Sequence, residues 1–228
     1  MSGDLMFTIS VWALPLLLAI TLHEAAHGFV AWKLGDDTAL RMGRVTFNPF
    51  RHIDLFGTII MPALMLLASG GRMMFGFAKP VPVNFARLRN ARRDMVLVAL
   101  AGPGVNIALA IVSALLFHTL HMMPEDFGIW SAHNLKNSIW INCLLAVFNM
   151  LPIPPLDGGR VAVGVLPMSL ARPLARLERA GFIIIIAGIF LLPWLGGRMG
   201  LDLNIFRWLV GEPSAYVMDL ILSVTGVI

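Results

Sequence analysis

The stretch His23-Glu24-Ala25-Ala26-His27 has the pattern H-E-x-x-H. On a helix, residues four apart share a face, so His23 and His27 can aim two imidazoles at one metal ion. Glu24 is turned about 100° from His23, which suits a general base for a water on that ion. With six histidines and four glutamates in 228 residues, chance supplies roughly 0.003 such matches. The motif closes an uncharged run, residues 6–20. Ionisable groups at membrane depth are costly unless paired or metal-bound, which favours function. Two histidines that only hydrogen-bond neighbouring helices would leave Glu24 without a partner.

A catalytic zinc site takes three protein ligands and leaves a position open. Asp157, in "FNMLPIPPLDGGRV" (148–161), is the candidate third ligand. Pro152, Pro154 and Pro155 break the preceding helix, and Gly158 and Gly159 permit close backbone approach. Taken alone, without the histidines, Asp157 reads more readily as a loop aspartate capping the next helix. Asn106, in "AGPGVN" (101–106), and Asn149 place neutral amides in apolar surroundings. Such amides can bind a peptide carbonyl or a developing oxyanion, or join helices to one another. His52 and Asp54 form H-x-D in a basic loop; local hydrogen bonds suit them better than a second site.

The elements that position these groups belong to a membrane protein. Of the 228 residues, 58% are hydrophobic and 13% charged, and the mean hydropathy is +0.81; soluble domains are nearer half and a quarter. The net charge of +4 reads as topology rather than nucleic-acid binding. A single cysteine, Cys143, excludes an internal disulfide and a thiolate metal site.

Five apolar blocks stand out, at residues 6–31, 57–69, 95–117, 135–156 and 180–195, with a broken apolar tail at 203–228. Block 6–31 reads as a retained span rather than a cleaved leader. Block 57–69 has 13 residues and Pro62. It is short for a ~30 Å core, so it is expected to dip in and return. Loops 32–94 and 157–179 then share a face and hold 14 of the 17 Lys and Arg. The positive-inside rule makes that face cytoplasmic and puts the N-terminus outside. The same count of crossings brings His27 and Asp157 to one leaflet.

The expected fold is an all-α polytopic membrane protein of about five to six membrane helices, including the re-entrant segment. A small β edge element is expected in the 32–94 loop. Within it, Lys79-Pro80-Val81-Pro82-Val83 would be an edge strand whose alternating prolines leave carbonyls free for an extended substrate. The chain reads as one membrane-embedded domain over 1–228, with a catalytic core at about 6–161 and C-terminal helices at about 180–228.

Together, "HEAAH", "AGPGVN" and "NMLPIPPLDGG" resemble the site-2 protease family of intramembrane zinc metalloproteases, in that family's order, over residues 20–161. "GRVTFNPFRHIDLFGT" and "FGFAKPVPVNF" resemble its small bacterial and archaeal branch without PDZ or CBS domains. The resemblance implies one Zn2+ held by His23, His27 and Asp157, Glu24 as base, and Asn149 and Asn106 contacting substrate backbone. It implies a transmembrane protein or peptide substrate cut near the cytosolic side of the bilayer. It names no particular substrate and no oligomeric state. Two rival readings are a metal-ion transporter or channel, against which the absence of an internal repeat counts, and an inactive relative that binds membrane proteins, against which the intact Glu24 counts.

Overall fold

Two long helices carry buried residues in steps of four, and these stripes build the molecule. On α1 (Ser2–Lys33) the buried positions include Val11, Ala19, His23, His27 and Ala31. Leu14, Leu17 and Leu18 point outward. On α4 (Ala91–Phe117) the stripe runs Asp94, Val98, Gly102, Asn106, Ala110 and Ala114. Small residues on both stripes let the backbones approach closely, as apolar solvent gives helices no hydrophobic reason to associate.

The computed structural model describes residues 2–68, 76 and 78–228. Between α1 and α4 lie α2 (Thr38–Arg41), 3-10 turns at Pro49–Arg51 and Phe85–Arg87, a π-helical segment Leu55–Ile60, and α3 (Met61–Ala68). After α4 come α5 (Glu125–Asn149), α6 (Asp157–Val165), α7 (Met168–Arg176) and α8 (Glu178–Ile186). The π-helical segment Ala187–Leu191 joins α8 to α9 (Leu192–Met199), and Arg207–Gly211 leads into α10 (Glu212–Val224). The long helices α1, α4 and α5 pack against one another. Around Ala110, Ala114, Ile139 and Cys143, α10 adds Ile221.

Two expectations of the fold are corrected. Among the described residues three helices, not five or six, have the length and apolarity to cross a membrane: Met6–Lys33, Ala91–Phe117 and Glu178–Met199. Block 135–156 belongs largely to α5, whose 25 residues have the length (~37 Å) but not the composition. Several of its polar groups find partners inside the bundle: Asn137 Nδ2 donates to Val11 O at 3.0 Å, and the Ser138 and Ser113 hydroxyls meet at 2.7 Å. Block 57–69 resolves into the π-helical segment and α3, together 55–68; its last residue, Ser69, lies outside the described residues, as do Arg72, Phe75 and Phe77.

The second correction concerns the β edge. Among the described residues there is no β-strand. Residues 78–83 adopt no regular secondary structure and pair with no ladder. Pro80 and Pro82 have no N–H to offer. The Lys79 N–H goes to His52 O at 2.9 Å, and the carbonyls of Lys79 and Pro80, expected to be free, accept from Arg44 Nη2 at 2.6 and 3.4 Å.

Candidate metal centre and active site

His23 and His27 are 6% and 7% exposed and their rings meet edge to face. Each Nδ1 faces an acceptor on α4. His23 Nδ1 donates to Asn106 Oδ1 at 2.5 Å, and His27 Nδ1 donates to the Val98 carbonyl at 2.7 Å. A carbonyl can only accept, so each neutral ring carries its proton on Nδ1 and presents a lone pair at Nε2. Those Nε2 atoms lie 3.1 Å apart with no proton to share.

Asp157 completes the triangle. Its Oδ2 is 3.2 Å from His23 Nε2 and 3.3 Å from His27 Nε2. That oxygen is buried and has no hydrogen-bond partner among the described residues. Three buried electron-rich atoms facing one another repel unless a cation joins them. Zinc bonds of ~2.0–2.1 Å at tetrahedral angles place ligand atoms about 3.3 Å apart, so the triangle has the size of such a site. Gly102 keeps it open: a Cβ there would stand 2.5 Å from His27 Nε2 and 2.6 Å from His23 Nε2. Among the described residues this is the one cluster of three His, Cys, Asp or Glu side chains that could hold a metal.

Local chain chemistry delivers Asp157. α5 ends at Asn149, and the proline-rich turn folds back so tightly that a Cβ on Gly158 would lie 2.1 Å from Met150 O, and one on Gly159 2.2 Å from Pro154 N. Asp157 then opens α6, where a carboxylate suits the helix N-terminus.

Glu24 stands beside the histidines with its Oε2 accepting the Val81 N–H at 2.8 Å. Val81 is buried, whereas Lys79 and Pro80 are exposed and Pro82 and Val83 half-buried. Asn106 is fully buried, and its amide nitrogen donates to Asn142 Oδ1 at 2.7 Å and to Ala19 O at 3.4 Å. Its amide thus touches the metal-ligand cluster through His23. Asn149 Nδ2 donates within its own helix to Leu145 O at 3.0 Å. His52 and Asp54 are held locally: His52 Nε2 donates to Thr46 O at 3.3 Å, and Asp54 Oδ1 accepts the Gly57 N–H at 2.7 Å.

Sequence reasoning missed Asn142, the Val98 carbonyl and Arg44. Asn142, an amide inside an apolar block, was detectable. A main-chain carbonyl has no residue-type signature.

Comparison with known proteins decides the assignment. Residues 126–193 match the model of peptidase family M50. An assigned zinc metalloprotease of Bacillus subtilis, YwhC, is 38% identical over 79% of this chain and 80% of its own. Rip2 of Mycobacterium tuberculosis, likewise assigned, is 32% identical over 86% of this chain and 71% of its own. The chain belongs to peptidase family M50, the site-2 protease family. No solved structure gives a significant match. M50 membership and the buried His23–His27–Asp157 cluster make this chain an intramembrane zinc-dependent endopeptidase. As an M50 protein with three long apolar helices it is a polytopic membrane protein whose substrates are membrane-embedded.

Proposed function

We propose that His23, His27 and Asp157 hold one Zn2+, and that Glu24 is the general base for hydrolysis of a peptide bond within or next to a transmembrane segment of a protein substrate. The observation that carries this reading is the triangle of three buried ligand atoms 3.1–3.3 Å apart. When bound, zinc supplies a Lewis acid for the scissile carbonyl and lowers the pKa of its water. Glu24 accepts the proton of the attacking water and delivers it to the leaving amine. Asn106 and the Val98 carbonyl fix the ring orientations of His23 and His27, and Gly102 leaves the space between them.

Residues 1–228 act in this reading as one domain, with the catalytic part over about 6–161. Asn149 and the segment Lys79, Pro80, Val81, Pro82 and Val83 are the chain's contacts to the substrate backbone. The concentration of Lys and Arg in 32–94 and 157–179 supports an active site toward the cytoplasmic face of the cell membrane and an N-terminus outside.

Glu24→Gln tests the assignment. The variant keeps about one zinc per chain and loses cleavage; full cleavage by Glu24→Gln removes Glu24 from the mechanism. Proteomics of membrane fragments from cells carrying wild-type or Glu24→Gln protein then identifies the substrate through the fragments that disappear.

A further inference from the structure

Arg44 is the one Arg or Lys among the described residues that is buried, at 6% exposed. A buried guanidinium is expensive unless it is paired or put to use. Among the described residues no carboxylate pairs with Arg44 and its Nε has no partner; its hydrogen bonds go to the main-chain carbonyls of Lys79 and Pro80. Both carbonyls belong to the segment that covers Glu24. The His52 carbonyl takes the Lys79 N–H at 2.9 Å on the same stretch. Arg44 and Glu24 both lie within electrostatic reach of His52. One short segment is therefore gripped at Lys79 and Pro80 and meets the carboxylate with its next residue.

The sequence of that segment fits the grip. Lys79 and Val81 each precede a proline, which confines them to extended backbone. Pro80 and Pro82 lack an N–H, so Val81 is the only donor between them. That N–H lands on Glu24 Oε2 at 2.8 Å. The Val81 side chain seats against α1: a Cβ on Gly28 would come within 3.1 Å of Val81 Cγ1.

We propose that Arg44, together with the main chain of His52, is the positioning element for the base: it pins Lys79 and Pro80 by their carbonyls so that the Val81 N–H holds one oxygen of Glu24 and leaves the other to work. Arg44 acts through Val81 and touches no reacting atom. The proposal rests on Glu24 being the base.

The test uses the full zinc-loaded chain in lipid nanodiscs, with a single-span transmembrane peptide carrying a fluorophore and quencher as substrate probe and amide hydrogen exchange at Val81 as a readout independent of turnover. Arg44→Met lowers kcat tenfold or more, retains one zinc per chain and speeds exchange of the Val81 amide at least tenfold. Arg44→Lys restores part of kcat, because an ammonium can still donate to Lys79 O. Val81→Pro deletes the N–H while keeping extended backbone and lowers kcat to the same degree; adding Arg44→Met to it costs nothing further. Unchanged kcat and Val81 exchange in Arg44→Met overturns the proposal. So does multiplicative loss in the double variant, a rise in KM at constant kcat, or loss of zinc alongside activity. Glu24→Gln separates the two readings: if it stays active the base assignment fails, whereas an inactive Glu24→Gln beside a fully active Arg44→Met sinks only the role of Arg44.

Discussion

His23 and Asn106, 83 positions apart in the chain, meet at 2.5 Å between His23 Nδ1 and Asn106 Oδ1 in the interior of the helix bundle. The bond continues outward: Asn106 Nδ2 donates to Asn142, and Asn142 Nδ2 donates to the Ser138 carbonyl at 2.9 Å. All three long helices thus contribute to the orientation of one imidazole. Partners of this kind fix the tautomer of a ligating histidine and raise its basicity.

Loss of that partner weakens metal binding without removing a ligand. Asn106→Ala is expected to reduce zinc affinity about 10- to 100-fold, measured by competition with a chromophoric chelator. Asn106→Asp keeps an acceptor opposite His23 Nδ1 and retains more affinity than Asn106→Ala. Equal affinity in wild type and Asn106→Ala would show that His23 needs no help.

Gly102 predicts the opposite combination, an intact fold with an obstructed site. Alanine is the better helix former by ~1 kcal/mol, so Gly102→Ala should not unfold α4. Its methyl would stand 2.5–2.6 Å from both Nε2 atoms, where either the ion or the rings must yield. The expected result is a wild-type helical spectrum with zinc content well below one per chain and no proteolysis, measured by circular dichroism and elemental analysis. A fully loaded Gly102→Ala protein would show that the histidines can withdraw at little cost.

The chemistry was more legible in the sequence than the architecture, for physical reasons. His23 and His27 are joined by a local rule, the four-residue helical step, and Asp157 announces itself by prolines and glycines that stop one helix and start another. Spans are inferred from averaged hydropathy, which passes over Asn137, Ser138 and Asn142 because isoleucines, leucines and valines surround them. The structure shows those polar groups turned toward Val11, Ser113 and Asn106. Strand pairing depends on a partner elsewhere in the chain. For residues 79–83 that partner is the side chain of Arg44 and the carboxylate of Glu24, which no pattern of alternation predicts.

His52 gives the protein a pH dependence. It is 2% exposed, and burial, joined by the nearby Arg44 charge, lowers its pKa below 6.5 despite the opposing pull of the Thr46 carbonyl and Glu24. Between the folded value and 6.5 the unfolded chain binds a proton that the folded chain refuses. The stability that this group contributes is therefore complete above pH 6.5 and is lost as pH falls below it. Thermal midpoints in detergent should fall from pH 7 to pH 5, and His52→Gln should flatten that slope. An identical slope in wild type and variant would assign the effect to other groups.

Asp36 ties the end of α1 to the far end of the segment over Glu24. Its carboxylate accepts from the Thr38 hydroxyl, from the Thr38 N–H at 3.1 Å, and from the Asn84 N–H at 2.6 Å. Burial alone would raise its pKa, but those hydrogen bonds and the charge of Arg87 outweigh it and hold the group below 3.8. By linkage its contribution is present above pH 3.8 and lost as pH falls through the folded value, so at neutral pH it acts in full. Hydrogen bonds to a charged group are worth ~1.5–3 kcal/mol each, and Asp36→Ala should cost about 3 kcal/mol. Denaturant titration measures that loss, and hydrogen exchange at Asn84 locates it. If Asp36→Ala leaves both unchanged, residues 79–84 are held by Arg44 and His52 without help from this end.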